Sequence, residues 1–541
     1  MSLLSHLIAL PVVLPLVTAA LLLFIGDERR RLKSRLNVLS TLAGVVVAVA
    51  ILRRVDHGSG SGSLQVYLAA NWQAPFGIVL VADRLSALML VLVSVVGLAA
   101  ALYAEAAWVR ASVYFLPLFQ IQLMGLNGAF LTGDLFNLFV FFEVMLAASY
   151  GLQLHGSGIR RVRSGLHYIA VNLLASLLFL VGLSVLYGIL GTLTMADMAA
   201  KIALVPERDR GLLHAGAAIL ALAFLIKAAV WPLNAWLVPA YTATSAPVAA
   251  LFAVMTKVGV YTILRLGTLC FSSAAGASAG FGQQALFYGG LATIAFGTLG
   301  LLASARLARL ASYSIVVSSG TLLAALGVGD PTVTAAALYY LMSGTLAASA
   351  LFLLVEQIER LRAGGRAQLA LVDLAPGEDT NLDDEARPLV GRVLPISTAL
   401  IGLAFMACTM VVAGLPPLSG FVAKLSLLSA VMSREHAPAQ AWVFFALLLL
   451  SGLASTFALT RAGIRHFWSW DAGMASVKRV EAFAVVGLLS SCLALALWAE
   501  PILRYTAFAA AGLHEPGPYV DGVLSRPALP SAGSRFLEVE R

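Results

Sequence analysis

The stretch Lys227-Ala-Ala-Val-Trp-Pro-Leu-Asn-Ala-Trp-Leu-Val-Pro-Ala-Tyr241 places a lysine and two prolines inside an apolar segment of the chain. That segment, at about residues 212–238, is long enough to cross a bilayer as a helix. Pro232 and Pro239 remove backbone hydrogen bonds, and non-helical backbone at membrane depth is tolerated only where it is buried in protein or lines a water-filled cavity. The stretch therefore predicts a membrane span that is broken beside a buried charge.

A second apolar segment, at about residues 394–432, has the same two features. The run Gly414-Leu-Pro-Pro417 contains Pro416 and Pro417, and it comes shortly before Lys424. Proline kinks are common in membrane helices, but a proline break beside a buried lysine is a stronger indication of a transport path than a break alone. The chain therefore contains two candidate broken spans.

The composition of the whole chain is that of a membrane protein. Of its 541 residues, 60% are hydrophobic and only 11% are charged, whereas soluble domains carry about a quarter charged residues. No stretch is polar enough for a separate soluble catalytic domain. The three cysteines, Cys270, Cys408 and Cys492, show no CxxC spacing, which excludes a disulfide framework and an iron–sulfur site. No HxxxH or HExxH pair occurs either, so we expect no metal site and no cofactor.

About 14 apolar segments are long enough to cross a membrane, which predicts an all-α polytopic membrane protein. These segments lie at about 3–25, 36–52, 85–104, 113–132, 135–154, 166–190, 212–238, 247–269, 284–304, 313–328, 332–355, 394–432, 441–461 and 481–503.

The basic residues are distributed unevenly between the loops. About 20 Lys and Arg follow odd-numbered spans, about 7 follow even-numbered spans, and none precedes the first span. Basic loops stay on the cytoplasmic side of a membrane. We therefore expect both termini outside, in a multi-pass protein of the bacterial cell (inner) membrane.

Four ionisable residues lie well inside the spans: Glu143, Lys227, Lys257 and Lys424. A charge at the centre of a lone span costs about 2.5–3.5 kcal/mol, so such residues persist where they face a bundle interior, a partner or water. Each could instead be an interhelical tie or a lysine that extends to the interface. Their number favours a path for protons or cations through the bundle.

The broken seventh and twelfth spans stand five spans apart, which predicts two five-span repeats, spans 4–8 and 9–13. An odd number of spans in each repeat requires inverted topology. The expected organisation is spans 1–3 with an external hairpin (1–110), the first repeat (111–270), the second repeat (271–465), the last span (466–511) and a polar tail (512–541).

Several motifs resemble one superfamily, the antiporter-like membrane subunits shared by multisubunit cation/proton antiporters and respiratory complex I. The stretch from Lys227 to Tyr241 carries the resemblance together with Asp83-Arg-Leu-Ser86, Thr256-Lys-Val-Gly-Val-Tyr261, Ala311-Ser-Tyr-Ser314 and Gly414-Leu-Pro-Pro-Leu-Ser-Gly-Phe421. The resemblance extends over nearly the whole chain. It implies the same fold of 14 spans with broken seventh and twelfth helices.

Within this superfamily the chain is most similar to the D subunits of the Mrp/Mnh/Pha-type multisubunit monovalent cation/proton antiporters. Asn234 and Tyr241 stand where complex I subunits usually have histidines. One departure lies in the eleventh span, where many relatives carry a histidine and a lysine. Here the span has Ser343 and small residues, so a relay through the bundle centre would need bound water or another group.

The resemblance also implies roles for the four ionisable residues. Glu143 and Lys227 would form the charge pair of one half-channel, Lys257 would connect it to the bundle centre, and Lys424 would serve a second half-channel. The implied function is exchange of protons for Na⁺ or K⁺ by a membrane complex. Its expected partners are other membrane subunits, including a second antiporter-like subunit, and the chain itself would not be an enzyme.

Two other classes of protein remain open. The chain could be a proton-pumping membrane subunit of a complex I-like NADH–quinone oxidoreductase or a membrane-bound hydrogenase. It contains no GxGxxG on a strand-to-helix turn and no cysteine cluster, so the redox groups would lie in partner subunits. It could also be a non-conducting scaffold, as the missing ionisable residues of the eleventh span suggest, but the four buried charges argue against this.

Overall fold

Helices form most of the structure, a computed structural model that describes residues 6–58, 64–107, 114–156, 158–372, 396–433, 439–467 and 478–527. The α-helices of these residues are α1 (Leu10–Phe24), α2 (Arg30–Asp56), α3 (Arg84–Ala107), α4 (Phe115–Leu131), α5 (Leu135–Leu154), α6 (Ile159–Leu190), α7 (Met195–Ile202), α8 (Glu207–Lys227), α9 (Leu237–Ala243), α10 (Ala246–Cys270), α11 (Gln283–Ala303), α12 (Leu307–Gly327), α13 (Pro331–Val372), α14 (Ile396–Ala413), α15 (Ser419–Met432), α16 (Ala439–Phe467), α17 (Arg479–Leu497), α18 (Ala499–His514) and α19 (Gly517–Leu524).

Every one of the fourteen predicted apolar segments forms helix. Within the described ranges, 12 helices are long and apolar enough to cross a membrane. The shorter apolar helices α1 and α4 supply the first and fourth spans, and α15 is the second half of the broken twelfth span. The prediction of an all-α polytopic membrane protein is therefore confirmed.

Short polar motifs begin two of the spans on the same side of the bundle. At the start of α3, the Ser86 backbone N–H donates to Asp83 Oδ1 (2.9 Å) and the Asp83 N–H donates to Ser86 Oγ (2.8 Å). At the start of α5, the Asn137 backbone N–H donates to Asp134 Oδ1 (2.9 Å). These bonds satisfy helix N–H groups that would otherwise lack partners.

Helix α10 lies at the centre of the bundle. All residues of its most apolar 18-residue window are buried, whereas only 28% of the corresponding windows of α2 and α17 are buried.

Close contact between helices depends on glycine. A Cβ on Gly259 would lie 2.7 Å from the carbonyl oxygen of Phe224 on α8, and a Cβ on Gly290 would lie 2.3 Å from the backbone nitrogen of Ala324 on α12. Small residues allow this approach of helix backbones in membranes.

The structure adds elements that the apolar segments alone do not indicate. An antiparallel hairpin, β1 (Gln65–Leu68) and β2 (Val79–Ala82), follows α2, where the sequence predicts an external turn or hairpin. The short helix α7 lies between α6 and α8. The predicted polar tail (512–541) starts within the last turn of α18 and contains α19, whose Tyr519 and Val523 are buried, so this part of the tail packs on the bundle.

Candidate functional site

The seventh span breaks immediately after Lys227, the last residue of α8. Ala229 adopts a left-handed backbone (φ 56°), and the next residue, Val230, donates its N–H to the carbonyl of Leu225 (3.1 Å). The indole N–H of Trp236 donates to the carbonyl of Ile226 (3.1 Å). Side-chain and backbone donors therefore satisfy carbonyl groups that the interrupted helix releases.

The twelfth span breaks in the same way. Helix α14 ends at Ala413, Gly414 adopts a left-handed backbone (φ 81°), and Leu415 donates its N–H to the carbonyl of Met410 (2.9 Å). When the sequences of the two breaks are aligned so that Gly414 matches Ala229, Pro417 matches Pro232. Both breaks thus share a left-handed residue and the hydrogen bond that follows it, which supports our proposal that spans 4–8 and 9–13 are repeats.

The lysines of the two breaks belong to different halves of their spans. Lys227 ends the first half-helix of its span, whereas Lys424 lies on the second half-helix, α15. Lys424 Nζ nevertheless donates back to the carbonyl oxygens of Ala413 (2.8 Å) and Val412 (3.3 Å), the last residues of α14. The Lys424 ammonium therefore lies at the carboxyl end of the first half-helix of its span, and Lys227 is the last residue of the first half-helix of its own span.

Helix α6 connects Lys227 with Glu143, although these two residues do not form an ion pair among the described contacts. Lys227 Nζ donates to Asn172 Oδ1 (2.9 Å). One turn further along α6, the Ser176 hydroxyl donates to the Glu143 carboxylate and also lies 3.1 Å from the carbonyl oxygen of Asn172. Lys227 and Glu143 thus bind side chains on neighbouring turns of α6, and these two side chains are not hydrogen-bonded to each other among the described contacts.

We expect Asn172→Leu to slow cation/proton exchange by about tenfold or more, because the buried Lys227 ammonium would lose its acceptor. A hydrogen bond to a charged group is worth about 1.5–3 kcal/mol. The measurement is the exchange rate in vesicles that contain the assembled complex. Ser164→Ala is the matched control on α6, since Ser164 donates only within its own helix, to Arg161. Equal rates for both variants would contradict a role for Asn172.

Lys257 lies on the central helix α10 and is 1% exposed. Its ammonium donates to the hydroxyl oxygens of Ser318 (3.1 Å) and Ser319 (3.3 Å) on α12. These serines are neutral, so Lys257 has polar partners at membrane depth without an adjacent carboxylate among the described contacts. Such an environment stabilises a lysine that can hold or release a proton without breaking an ion pair.

A small polar cavity lies between Ser318 and Lys424. Its volume is about 30 Å³, and its polar lining comes from Ser314, Ser318, Tyr340, Ser343, Lys424 and Ser455. A cavity needs at least about 10–15 Å³ and two to four polar partners to hold a water molecule. Ser343 of the eleventh span therefore lines a space that can hold water, between Ser318, the partner of Lys257, and Lys424.

Two ion pairs that were not predicted from the sequence join helices at opposite ends of the bundle: the pair between Arg265 and Asp83 is largely buried, and in the pair between Arg360 and Glu481 only the glutamate is buried. Arg265 on α10 donates two hydrogen bonds to Asp83 (2.6 and 2.7 Å). Burial raises the pKa of Asp83, but the charge and hydrogen bonds of Arg265 outweigh burial and hold this pKa below its ordinary value. At the other end, Arg360 donates to both carboxylate oxygens of Glu481 (3.0 and 2.7 Å).

We expect Arg265→Met to destabilise the protein by about 3–5 kcal/mol, because Asp83 would keep a buried charge without its partner. The measurement is the thermal unfolding midpoint of the purified complex. Arg504→Met is the control, since the ion pair between Arg504 and Glu500 is exposed and such pairs contribute about 0–1 kcal/mol. Equal midpoints for the two variants would show that the buried pair is not a major tie.

Comparison with known proteins places these features in one family. A family model described as the transmembrane part of NADH:quinone oxidoreductase and Mrp antiporter matches residues 132–454, which include both breaks and all four ionisable residues. Among the described residues there is no group of three or more His, Cys, Asp or Glu that could hold a metal ion.

Three known proteins are similar over almost their full length. The chain is 51% identical to the D subunit of a probable K⁺/H⁺ antiporter of Rhizobium meliloti, covering 98% of this chain and 99% of the relative. It is 33% identical to the D subunit of the Na⁺/H⁺ antiporter of Alkalihalophilus pseudofirmus, with 96% and 99% covered. A chain of the Mrp complex from Dietzia sp. DQ12-45-1b is 27% identical, with a TM-score of 0.81 and 97% and 100% covered. The chain therefore belongs to the family of transmembrane subunits of NADH:quinone oxidoreductases and Mrp antiporters, and within it to the antiporter D subunits.

Proposed function

We propose that this chain is the D subunit of a multisubunit secondary antiporter that exchanges protons for K⁺ or Na⁺ across the bacterial cell membrane. The observation that carries the proposal is the set of three buried lysines on or beside two broken spans, in a chain whose relatives are named antiporter subunits. The chain would act as a transporter subunit and would not itself catalyse a reaction. Both termini would lie outside the cell.

The proposed role of the buried residues is to carry protons. Glu143 and Lys227 would each hold a proton and would be coupled electrostatically across α6, where Ser176 donates to the Glu143 carboxylate and Asn172 accepts from the Lys227 ammonium. Each proton that arrives at or leaves one of the two groups changes the charge near the other and therefore its proton affinity. A change of charge at Glu143 can thus release a proton from Lys227.

The second part of the path would run from Lys257 to Lys424. Ser318 binds Lys257 directly, and the polar cavity of about 30 Å³ extends from Ser318 to Lys424. Water in this cavity, together with the hydroxyls of Tyr340 and Ser343, would replace the ionisable side chains of the eleventh span.

The test is to purify the chain from gently solubilised membranes with its partners and to reconstitute the complex in vesicles. We expect several small membrane subunits and a second antiporter-like subunit to copurify. We also expect an imposed proton gradient to drive K⁺ or Na⁺ movement. Both cations should be measured, because the relative at 51% identity is named for K⁺ and the one at 33% for Na⁺.

The alternative is a proton-pumping membrane subunit of a complex I-like oxidoreductase or a hydrogenase, because the matching family includes NADH:quinone oxidoreductase subunits. The same purification separates the two. Copurification of flavin or iron–sulfur subunits, with no exchange of K⁺ or Na⁺ for protons, would overturn the antiporter proposal.

A further inference from the structure

A large open cavity, the vestibule, lies at one end of the bundle where α10, α11 and α13 meet. Its volume is about 510 Å³, and its lining combines apolar residues with the polar side chains of Thr268, Ser272, Gln283, Thr334 and His514. The Thr334 hydroxyl and His514 Nε2 lie 3.0 Å apart. These residues lie at helix ends that the distribution of basic residues places outside the cell. An open space of this size with several polar groups in its lining holds water.

The floor of the vestibule is apolar. Leu264 of α10 and Leu326 of α12 line it, and the same two leucines line a second, much smaller cavity beneath. This second cavity, the dry gap, has a volume of about 10 Å³ and is otherwise lined by Leu85, Met89, Val260, Tyr261, Leu322, Ala337, Leu338 and Leu341.

The dry gap offers a water molecule no partner. Its one hydroxyl, that of Tyr261, donates to the carbonyl of Phe130 (2.7 Å) and lies 3.4 Å from an Arg265 nitrogen. A buried water needs two to four polar partners, and an apolar cavity without them stays empty. Water from the vestibule therefore ends at Leu264 and Leu326 in this conformation.

The dry gap lies about one helical turn from the groups that the proposed function assigns to proton transfer. Of its lining residues, Val260 is one turn from Lys257, Leu322 is one turn from Ser318, and Leu341 adjoins Tyr340. Leu264 is seven residues from Lys257 on α10, a distance of about 10 Å at 1.5 Å per residue. Helices α12 and α13 contribute lining residues to the vestibule, the dry gap and the polar cavity beside Lys424.

We propose that the vestibule is the external water path to Lys257, closed in this structure by the dry gap between Leu264 and Leu326. Hydrophobic constrictions can gate pores by excluding water. When these leucines move apart and water enters, the Lys257 ammonium transfers its proton to a water molecule, which becomes hydronium, and Lys257 is left as a neutral amine. The amine then takes up a proton from the polar cavity. This inference rests on the proposed function of Lys257, but access of water can be measured independently of it.

The first test maps access with single cysteines. In the complex whose Cys270, Cys408 and Cys492 are replaced by Ser, Thr268→Cys and Leu338→Cys are treated in intact cells with a membrane-impermeant methanethiosulfonate. We expect the Thr268→Cys thiol to react at least about tenfold faster than the Leu338→Cys thiol, because only the vestibule holds water. Equal rates, or reaction of Thr268→Cys only from the cytoplasmic side, would overturn the proposal whether or not Lys257 carries protons.

The second test opens the gap. Leu326→Asn adds a polar group to the leucine lining, and we expect it to raise passive proton leakage in vesicles at least about tenfold by wetting the constriction. Leu326→Met is the control and should not leak. Adding Lys257→Met to Leu326→Asn should remove the leak, because the water path ends at Lys257. If Leu326→Asn assembles normally without leaking, or if the leak persists without Lys257, the vestibule is not the path to Lys257.

Discussion

Replacing Lys227 by Met is expected to reduce cation/proton exchange by at least about a hundredfold, the lower range of what a positioned proton-transfer group contributes. Methionine is unbranched and apolar, so it can fill the space of the lysine stem without its charge. The Asn172 side chain would lose the ammonium that it accepts from, and Glu143 would lose the nearby positive charge to which its own proton affinity is coupled. The measurement is proton movement driven by an imposed K⁺ or Na⁺ gradient in vesicles that contain the assembled complex.

The matched control for this variant is Lys201→Ala. Lys201 is a partly exposed lysine on α7 that pairs with Asp197 one turn away, and such surface pairs contribute little to stability. We expect wild-type exchange for this control and normal copurification of partner subunits for both variants. Wild-type exchange by assembled Lys227→Met would show that the seventh span does not carry the proton.

Replacing Lys424 by Met is the second change with a large expected effect, again at least about a hundredfold in exchange rate. The Lys424 ammonium is the only cationic group among the described residues that line the polar cavity. Without it, the carbonyl oxygens of Val412 and Ala413 would lose the donor that Lys424 provides. Exchange at more than half the wild-type rate would remove the twelfth span from the proton path.

Gly452 lies near Lys424 and allows a test of how strongly exchange depends on the position of the Lys424 ammonium. A Cβ on Gly452 would lie 3.2 Å from Lys424 Nζ and 2.9 Å from the carbonyl oxygen of Ala413. We therefore expect Gly452→Ala to displace the ammonium and to slow exchange severalfold, less than the loss of the charge does. Gly487→Ala is the control, because a Cβ added at Gly487 would meet no neighbouring atom within 4 Å. Equal rates would show that the position of the ammonium is not critical.

The spans and their two breaks can be predicted from sequence because the physical constraints on a membrane helix are severe. Apolar length determines where helices cross the membrane. Prolines at membrane depth mark the breaks, and the lysines beside them are costly unless buried in the bundle. Aligning Val230 and Pro232 with Leu415 and Pro417 would also have revealed from sequence that the breaks correspond.

The connections between the charged residues could not be predicted in this way. Asn172 and Ser176 are neutral residues one turn apart in a span, a spacing that is compatible with bonds to their own helix as well as to Lys227 and Glu143. Arg265 lies close enough to the end of its span to suggest an interfacial residue, yet its partner Asp83 is far away in sequence. These contacts depend on which helices are neighbours, and that information is tertiary.

The short helices α7 and α19 were missed for a different reason. Each has only 8 residues, which is too short to cross a membrane and too short to be stable as an isolated helix. Both are held by packing, as the buried Met195 and Met198 of α7 and the buried Tyr519 and Val523 of α19 indicate. A pattern of apolar length alone does not predict such elements.

The most direct test of the proton path is to record proton flux and cation flux together in vesicles that contain the purified complex with Glu143→Gln. Glutamine keeps the shape of the side chain and an acceptor for Ser176 but cannot give or take a proton at neutral pH. If this chain carries the proton that drives exchange, both fluxes should be lost together while the complex remains assembled. Exchange at the wild-type rate in the assembled variant would show that Glu143 does not carry the proton that drives exchange.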